Sequence, residues 1–293
     1  PWITFKDPSN IRYSNKHVGI VHSSNLCTEI LLHTKPSVYN EGTLVDKGET
    51  AVCNLASINL ANHLKVRSVD WKELSKTVEI AVRGLDNVID LNFYPTKEAK
   101  SSNTKNRPIG LGIMGTHDML HSLKIPYDSK EAVEMCGKVQ EFISYCAIKA
   151  SCLLAKEKSS YPVFGGSEWD RGNLPIDTYC RLINSRKGTK KHKAADFETV
   201  DGWDELRTLI SKYGMRNSNV MAIAPTATIS YIQGCSQSIE PDYSILYVYS
   251  TLSGEFTMIN EHFVKEAKKK GIWCDELVEA LKRVDGDISA LSL

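Results

Sequence analysis

Between residues 71 and 92 the apolar side chains Trp71, Leu74, Val78, Ala81, Leu85 and Val88 recur at spacings of three and four, with Asp70 placed to cap the start. That period predicts an amphipathic α-helix, whose stripe must be buried against another element. After turn residues 92–106, Arg107-Pro-Ile-Gly-Leu-Gly-Ile-Met-Gly reads as an apolar strand whose glycines let another backbone or a ligand come close. A second long helix is expected over residues 129–158, with Val133, Cys136, Val139, Ile143, Cys146, Ala150 and Leu153 as its stripe. Residues 161–175, rich in Gly and Pro, read as a connecting loop, and 201–213 as a helix with Trp203, Leu206, Leu209 and Ile210 inward and Gly214 as its C-cap. Asn219-Val-Met-Ala-Ile-Ala then reads as a buried strand, and helices over 254–270 and 275–284 close the chain. Helices alternating with short apolar strands imply a parallel α/β arrangement, layered or barrel-like, and 293 residues fit one domain.

Composition narrows the function. The formal net charge is +1, and no basic run is interleaved with aromatics, so neither a nucleic-acid nor a membrane partner is expected. The densest basic cluster, residues 187–193, suits a solvated loop. Eight scattered cysteines without a CxxC pair disfavour a disulfide scaffold or a zinc site and fit a reducing cytoplasm. No stretch is apolar enough to span a bilayer, and no signal-peptide pattern opens the chain. It begins instead with strand-like Pro-Trp-Ile-Thr-Phe, as expected of part of a longer polypeptide or one piece of a split one. Gly110, Gly112 and Gly115 match the GxGxxG spacing, but they lie within a strand rather than after one, which argues against a nucleotide loop.

Three segments carry chemistry. The apolar run 18–21 leads into Ser-Ser-Asn-Leu-Cys-Thr-Glu before apolar residues resume at Ile30. If this segment is extended, Asn25, Cys27 and Glu29 share one face and Leu26, Thr28 and Ile30 the other. An amide, a thiol and a carboxylate on one face suit a polyhydroxy substrate, although a thiol between apolar runs equally suits a small buried hydrophobe. Cys53 follows a polar loop or loose hairpin over 33–50 and sits near the start of a strand. It could face one cavity with Cys27, or both could be buried thiols without a role. Pro225-Thr-Ala-Thr-Ile-Ser, at the carboxyl end of a strand, offers hydroxyls on Thr226, Thr228 and Ser230 and accessible amides around Ala227. These could hold an anion or merely cap a turn, since the lysine and glycines of a P-loop are missing. Cys136 and Cys146 read as core packing, as do Cys152, Cys180 and Cys274.

Together these segments resemble the large, catalytic subunit of class I ribonucleotide reductases. Ser24-Asn-Leu-Cys-Thr-Glu-Ile resembles the loop with that family's radical cysteine, and Cys53-Asn-Leu-Ala-Ser-Ile-Asn-Leu the segment with one of its two reducing cysteines. Trp203-Asp-Glu-Leu, Gly214-Met-Arg-Asn and Met221-Ala-Ile-Ala-Pro resemble the family signature in order and spacing, and Ala227-Thr-Ile-Ser through Ser238-Ile-Glu-Pro continues it. The resemblance implies a ten-stranded α/β barrel with a central radical-bearing finger loop. Residues 1–293 would be its second half, with the amino-terminal half and the carboxyl-terminal tail absent, and inactive alone.

It further implies that Cys27 becomes a thiyl radical and removes the 3'-hydrogen of a ribonucleoside diphosphate. Glu29 would take the 3'-hydroxyl proton, Asn25 would hold the ribose hydroxyls, and Cys53 would be one of two thiols that close a disulfide. Leu26 and Thr28 would complete the substrate-binding loop, and Pro225, Thr226, Ala227, Thr228 and Ile229 would hold the diphosphate. By the same resemblance the chain binds neither metal nor cofactor. It implies that a separate metal-containing small subunit supplies the radical, that thioredoxin or glutaredoxin supplies electrons, that nucleotide effectors bind elsewhere, and that Tyr243, Tyr247 and Tyr249 are not the family's tyrosine pair. A radical on sulfur needs shielding from water, so Cys27 is expected in a dry interior near the threonine-rich turn. The alternatives are an adenosylcobalamin-dependent reductase sharing the same trio, or a non-catalytic nucleotide-binding fragment that needs a partner chain.

Overall fold

The computed structural model describes residues 6–186 and 190–291, so the strand-like start at 1–5 and residues 187–189 of the basic cluster lie outside the described residues. In order, the elements are α1 (Lys6–Arg12), β1 (Val38–Asn40), β2 (Thr43–Asp46), β3 (Asn54–Asn59), β4 (Leu64–Lys65), β5 (Ser68–Val69), α2 (Trp71–Leu91) and α3 (Lys97–Asn106). They continue with β6 (Ile109–Met114), α4 (Thr116–Leu123), α5 (Lys130–Lys158), α6 (Pro175–Ser185), α7 (Trp203–Tyr213) and α8 (Ile229–Gln233). The hairpin strands β7 (Leu246–Thr251) and β8 (Gly254–Ile259), then α9 (Glu261–Lys269) and α10 (Asp275–Arg283), complete the series. Two compact units result: Pro1–Ile58 with Val69–Ile113 and Val133–Pro225, and Asn59–Ser68 with Met114–Ala132 and Thr226–Leu293.

The first unit is built around β6 as far as Ile113, and all six residues of the strand are buried. It pairs with β3, and residues 219–222 run parallel to it through a single bridge between Leu111 and Met221. Leu111 N–H donates to the Val220 carbonyl at 2.9 Å and Ala222 N–H to the Leu111 carbonyl at 3.1 Å. A Cβ at Gly112 would sit 2.4 Å from the Ala222 carbonyl oxygen, so the glycine is there for close backbone approach, as its sequence suggested. Helix α2 covers this layer with Leu74, Val78, Val82, Leu85 and Ile89, and Asp70 caps it by accepting from Glu73 N–H at 3.2 Å. The buried stripe is turned slightly from the expected one, leaving Val88 exposed. Fully buried Asp86 on α2 accepts from Arg107 at 2.8 Å and from Arg216 at 3.3 Å, tying the helix to β6 and to the segment before residue 219.

Several expectations need correction. Residues 92–106 are not all turn: 97–106 form α3, capped by Thr96, and its buried face is Ala99, Ser102, Asn103 and Asn106, which shows no hydrophobic period. In α5 the stripe rotates, burying Val139, Ile143, Ala147 and Leu154 while Val133 and Leu153 are exposed. An α-helix drifts about 20° per heptad relative to a seven-residue repeat, so a straight stripe cannot be held for 29 residues. Residues 254–259 are strand β8 rather than helix; pairing antiparallel with β7, Leu246 opposite Ile259, satisfies them first, and Asn260 starts α9. Cys274 is exposed and Cys136 half-buried, whereas Cys146, Cys152 and Cys180 are buried as read.

The expected helices near 71–92, 129–158 and 201–213 are present, and the 33–50 segment contains the β1/β2 hairpin. The architecture is mixed α/β. Among the described residues the strands pair only two by two, beside the single bridges Leu111–Met221 and Lys35–Glu49, without a closed barrel. No helix among them is long and apolar enough to cross a membrane. In the second unit, Leu246, Ala267, Leu277 and Leu281 form a core with Ile259, Phe263 and Trp273 around it.

Candidate active site

Residues 18–21 do not form a strand. Val18 N–H closes a turn onto the Asn15 carbonyl at 2.9 Å, and the Asn10 side chain grips Val21, donating to its carbonyl and accepting from its N–H, each at 2.9 Å. One asparagine thus does for Val21 what a neighbouring strand would do. The next segment turns rather than extends: Thr28 N–H donates to the Asn25 carbonyl at 3.2 Å, and Thr28 takes φ +64°. For a β-branched residue the left-handed region costs about 1–3 kcal/mol. The turn breaks the expected alternation, so Asn25, Cys27 and Glu29 do not share an extended face. Asn25 and Cys27 are exposed, and Leu26 is 95 % exposed, which corrects the expectation of a dry Cys27: the turn projects outward and no described residue covers it.

Glu29 turns inward. It is half-buried, and its Oε2 is fully buried without a hydrogen-bond partner among the described residues. It forms part of the wall of a cavity of about 700 Å³ with Ser14, Gln140, Ser218 and Met221, where Gln140 Oε1 is likewise buried and unpartnered. A buried carboxylate oxygen with no donor is poised for a ligand hydroxyl. Neither cysteine lines the cavity. Cys53 is half-buried just before β3 and packs, with Ile30 and Leu31, on the cluster Tyr13, Val21 and Leu32. Burial pushes its thiol up to about 12, with the negative charge of Glu29 adding to the effect. Cys53 is therefore a protonated thiol near neutral pH, suited to giving up hydrogen rather than to attacking as a thiolate.

Pro225 ends a stretch of the first unit, and Thr226–Ile229 belong to the second. Thr226 is buried at φ +56°, its Oγ1 accepting from Ser238 N–H at 2.8 Å and its carbonyl from Ser230 N–H at 3.1 Å. That hydroxyl holds a turn. Pro225, Ala227, Thr228 and Ile229 are exposed. The charge of Glu29 thus reaches the Cys53 thiol, whereas Asn25 and Cys27 stand exposed on the turn. The reading from sequence did not find Ser14 and Gln140, which carry no motif. Met221 could have been found, because it lies in the expected buried strand 219–224, of which the structure keeps a single bridge at Met221 with Val220 and Ala222 buried. Among the described residues no group of three His, Cys, Asp or Glu side chains is placed to hold a metal ion.

Comparison with known proteins gives this geometry a context. A family model described as ribonucleotide reductase, barrel domain, matches residues 1–292. The chain is 52 % identical over 288 residues to the ribonucleoside-diphosphate reductase subunit alpha of Chlamydia muridarum, covering 98 % of this chain and 26 % of that protein. It is 36 % identical to the large subunit of Caenorhabditis elegans, covering 98 % and 34 %, and 38 % identical to subunit alpha of Helicobacter pylori, covering 87 % and 37 %. The chain therefore spans between about a quarter and just over a third of the length of these relatives.

Proposed function

The chain belongs to the ribonucleotide reductase barrel family, and from that membership we propose that it carries the radical site of a class I ribonucleoside-diphosphate reductase large subunit. The observation that carries the reading is the partnerless carboxylate oxygen of Glu29, buried in a cavity on the segment next to protonated Cys53. In this reading Cys27, as a thiyl radical, takes the 3'-hydrogen, and Glu29 accepts the 3'-hydroxyl proton, which eases loss of the 2'-hydroxyl as water. Cys53 and a second thiol outside these residues give two electrons and two protons and become a disulfide. Asn25, Leu26 and Thr28 line the ribose, and Pro225 to Ile229 hold the diphosphate.

Polypeptide outside these residues covers the exposed Cys27 turn and completes the ten-stranded barrel around it as a finger loop. The open sheet edge supports this: the bridge directs the N–H and C=O of Met221 away from β6, and neither they nor those of Ile223 have a partner among the described residues. A metal-containing small subunit generates the radical, thioredoxin or glutaredoxin renews the thiols, and a cytoplasmic setting suits both. The test is reconstitution with the remaining portions of a reductase large subunit and with a small subunit. Deoxynucleotide formation is expected, is lost in Cys27→Ser, and falls to a single turnover at most in Cys53→Ser; turnover that survives Cys27→Ser overturns the reading.

A further inference from the structure

The loop bearing Cys27 and Glu29 is pinned at both ends by side chains that the reaction itself does not use, half-buried Asn10 and buried His33. At its start Asn10 grips Val21. At its end stands His33, 3 % exposed and bonded through both ring nitrogens: Nδ1 to the Tyr13 hydroxyl at 2.6 Å, Nε2 to Glu49 Oε2 at 2.8 Å. The other oxygen of Glu49 accepts from Lys105 at 2.5 Å. The main chain of Glu49 also pairs with Lys35 in both directions, at 3.0 and 2.8 Å. His33 lies four residues after Glu29, and Glu49 four residues before Cys53. The contact between them therefore ties the segment leaving the loop to the segment entering the redox cysteine.

A buried ionisable pair is a poor way to gain stability, because desolvation offsets most of the attraction, and an apolar pair of similar size often does as well. What such a pair supplies is a single register. Apolar packing at His33 and Glu49 would let the two segments slide, whereas three directed hydrogen bonds and a main-chain pair fix them. We propose that Tyr13, His33 and Glu49 act as a positioning clamp that sets Glu29 against Cys53, so that the group taking the 3'-hydroxyl proton and the group delivering reducing hydrogen meet one sugar. The proposal rests on the function proposed above. Tyr13 is part of the same cavity wall as Glu29, which places the far end of the clamp at the site it serves.

The charge of Glu29 acts on the Cys53 thiol, and that coupling weakens with separation, so it measures the register directly. The test uses this chain alone, following iodoacetamide alkylation of Cys53 at pH 9 by mass spectrometry. Glu29→Gln removes the charge and is expected to speed alkylation by about threefold or more. In Tyr13→Phe and His33→Gln backgrounds, with folding confirmed by circular dichroism, the acceleration is expected to fall to less than half of that. Equal acceleration in all backgrounds, or none in the wild-type background, overturns the clamp. Tyr13→Phe removes a single oxygen and keeps the ring, so it reports even if His33→Gln does not fold.

In the reconstituted enzyme Tyr13→Phe should lower kcat and leave KM unchanged; wild-type kcat there also overturns the clamp. Should the reconstituted wild type make no deoxynucleotide while the alkylation pattern holds, the function fails and the register stands, so the two failures are told apart.

Discussion

Glu29 combines two costs at one residue. Its buried Oε2 has no donor among the described residues, and the neighbouring Thr28 holds a left-handed backbone. An unsatisfied buried acceptor costs about 1–3 kcal/mol, more when charged, and such costs persist where function needs them. Glu29→Gln removes the charge and keeps the shape. The chain should then be as stable as the wild type, or more stable by up to about 1 kcal/mol in urea unfolding, while the reconstituted enzyme loses turnover. A variant destabilised by more than about 1 kcal/mol would show that the oxygen has a partner in the folded chain and is not held for a ligand. Glu29 and Cys53 stood out in the sequence by residue type and by the segments that carry them. The meeting of His33 with Glu49 was not legible there, since it bridges a hairpin whose turn residues say nothing of side-chain pairing.

Elements were legible in proportion to how apolar their buried faces are. Helices α2 and α7 stand out because leucine, valine, isoleucine and tryptophan mark their inner sides, and Gly214, at φ +75°, ends α7 with its N–H on the Ile210 carbonyl. Helix α3 did not stand out, because it buries serine and asparagine side chains, with Asn103 Nδ2 donating to the Tyr94 hydroxyl and Asn106 Nδ2 to the Ser102 carbonyl, while Asn103 Oδ1 has no partner among the described residues. Polar fastening also holds the second unit, where Asp118 on α4 accepts from His262 on α9 at 2.9 Å and from Ser236 N–H at 2.6 Å. Burial alone would raise the Asp118 carboxyl, but the His262 and Ser236 hydrogen bonds prevail and hold it at about 2, below its ordinary 3.8. A depressed folded-state value means stability that is fully present above the unfolded value and lost as pH falls from about 3.8 towards 2. Asp118→Asn should therefore cost on the order of 1–3 kcal/mol at pH 6, and the difference from wild type should shrink towards nothing near pH 2. Urea unfolding followed by Trp273 fluorescence checks this, and a gap that stays constant with pH would remove the carboxylate from the account.

At the scale of the molecule, what the sequence alone could not convey is surroundings. The segment from Ser24 to Ile30 carries the family pattern, yet the structure leaves Cys27 exposed, because the dryness of a sulfur is set by atoms far away in sequence. Among the described residues, three features of the first unit are unsatisfied at once: the exposed turn at Cys27, the partnerless Glu29 oxygen, and the unpaired main chain of Met221 and Ile223. Each is the kind of feature that further polypeptide would satisfy, by covering apolar Leu26, by bringing a ligand, and by adding a strand. Thiol chemistry can follow the first directly. In the chain alone, Cys27 should react with iodoacetamide at a rate approaching that of free glutathione at the same pH. On addition of the remaining portions of the Chlamydia muridarum subunit, that rate should fall by about tenfold or more, because alkylation would then require local opening. Protection that appears without the added polypeptide, as chain concentration rises, would assign the cover to a second copy. No protection in a complex that turns over would mean that the radical cysteine works in contact with water, and the finger-loop placement would have to be abandoned.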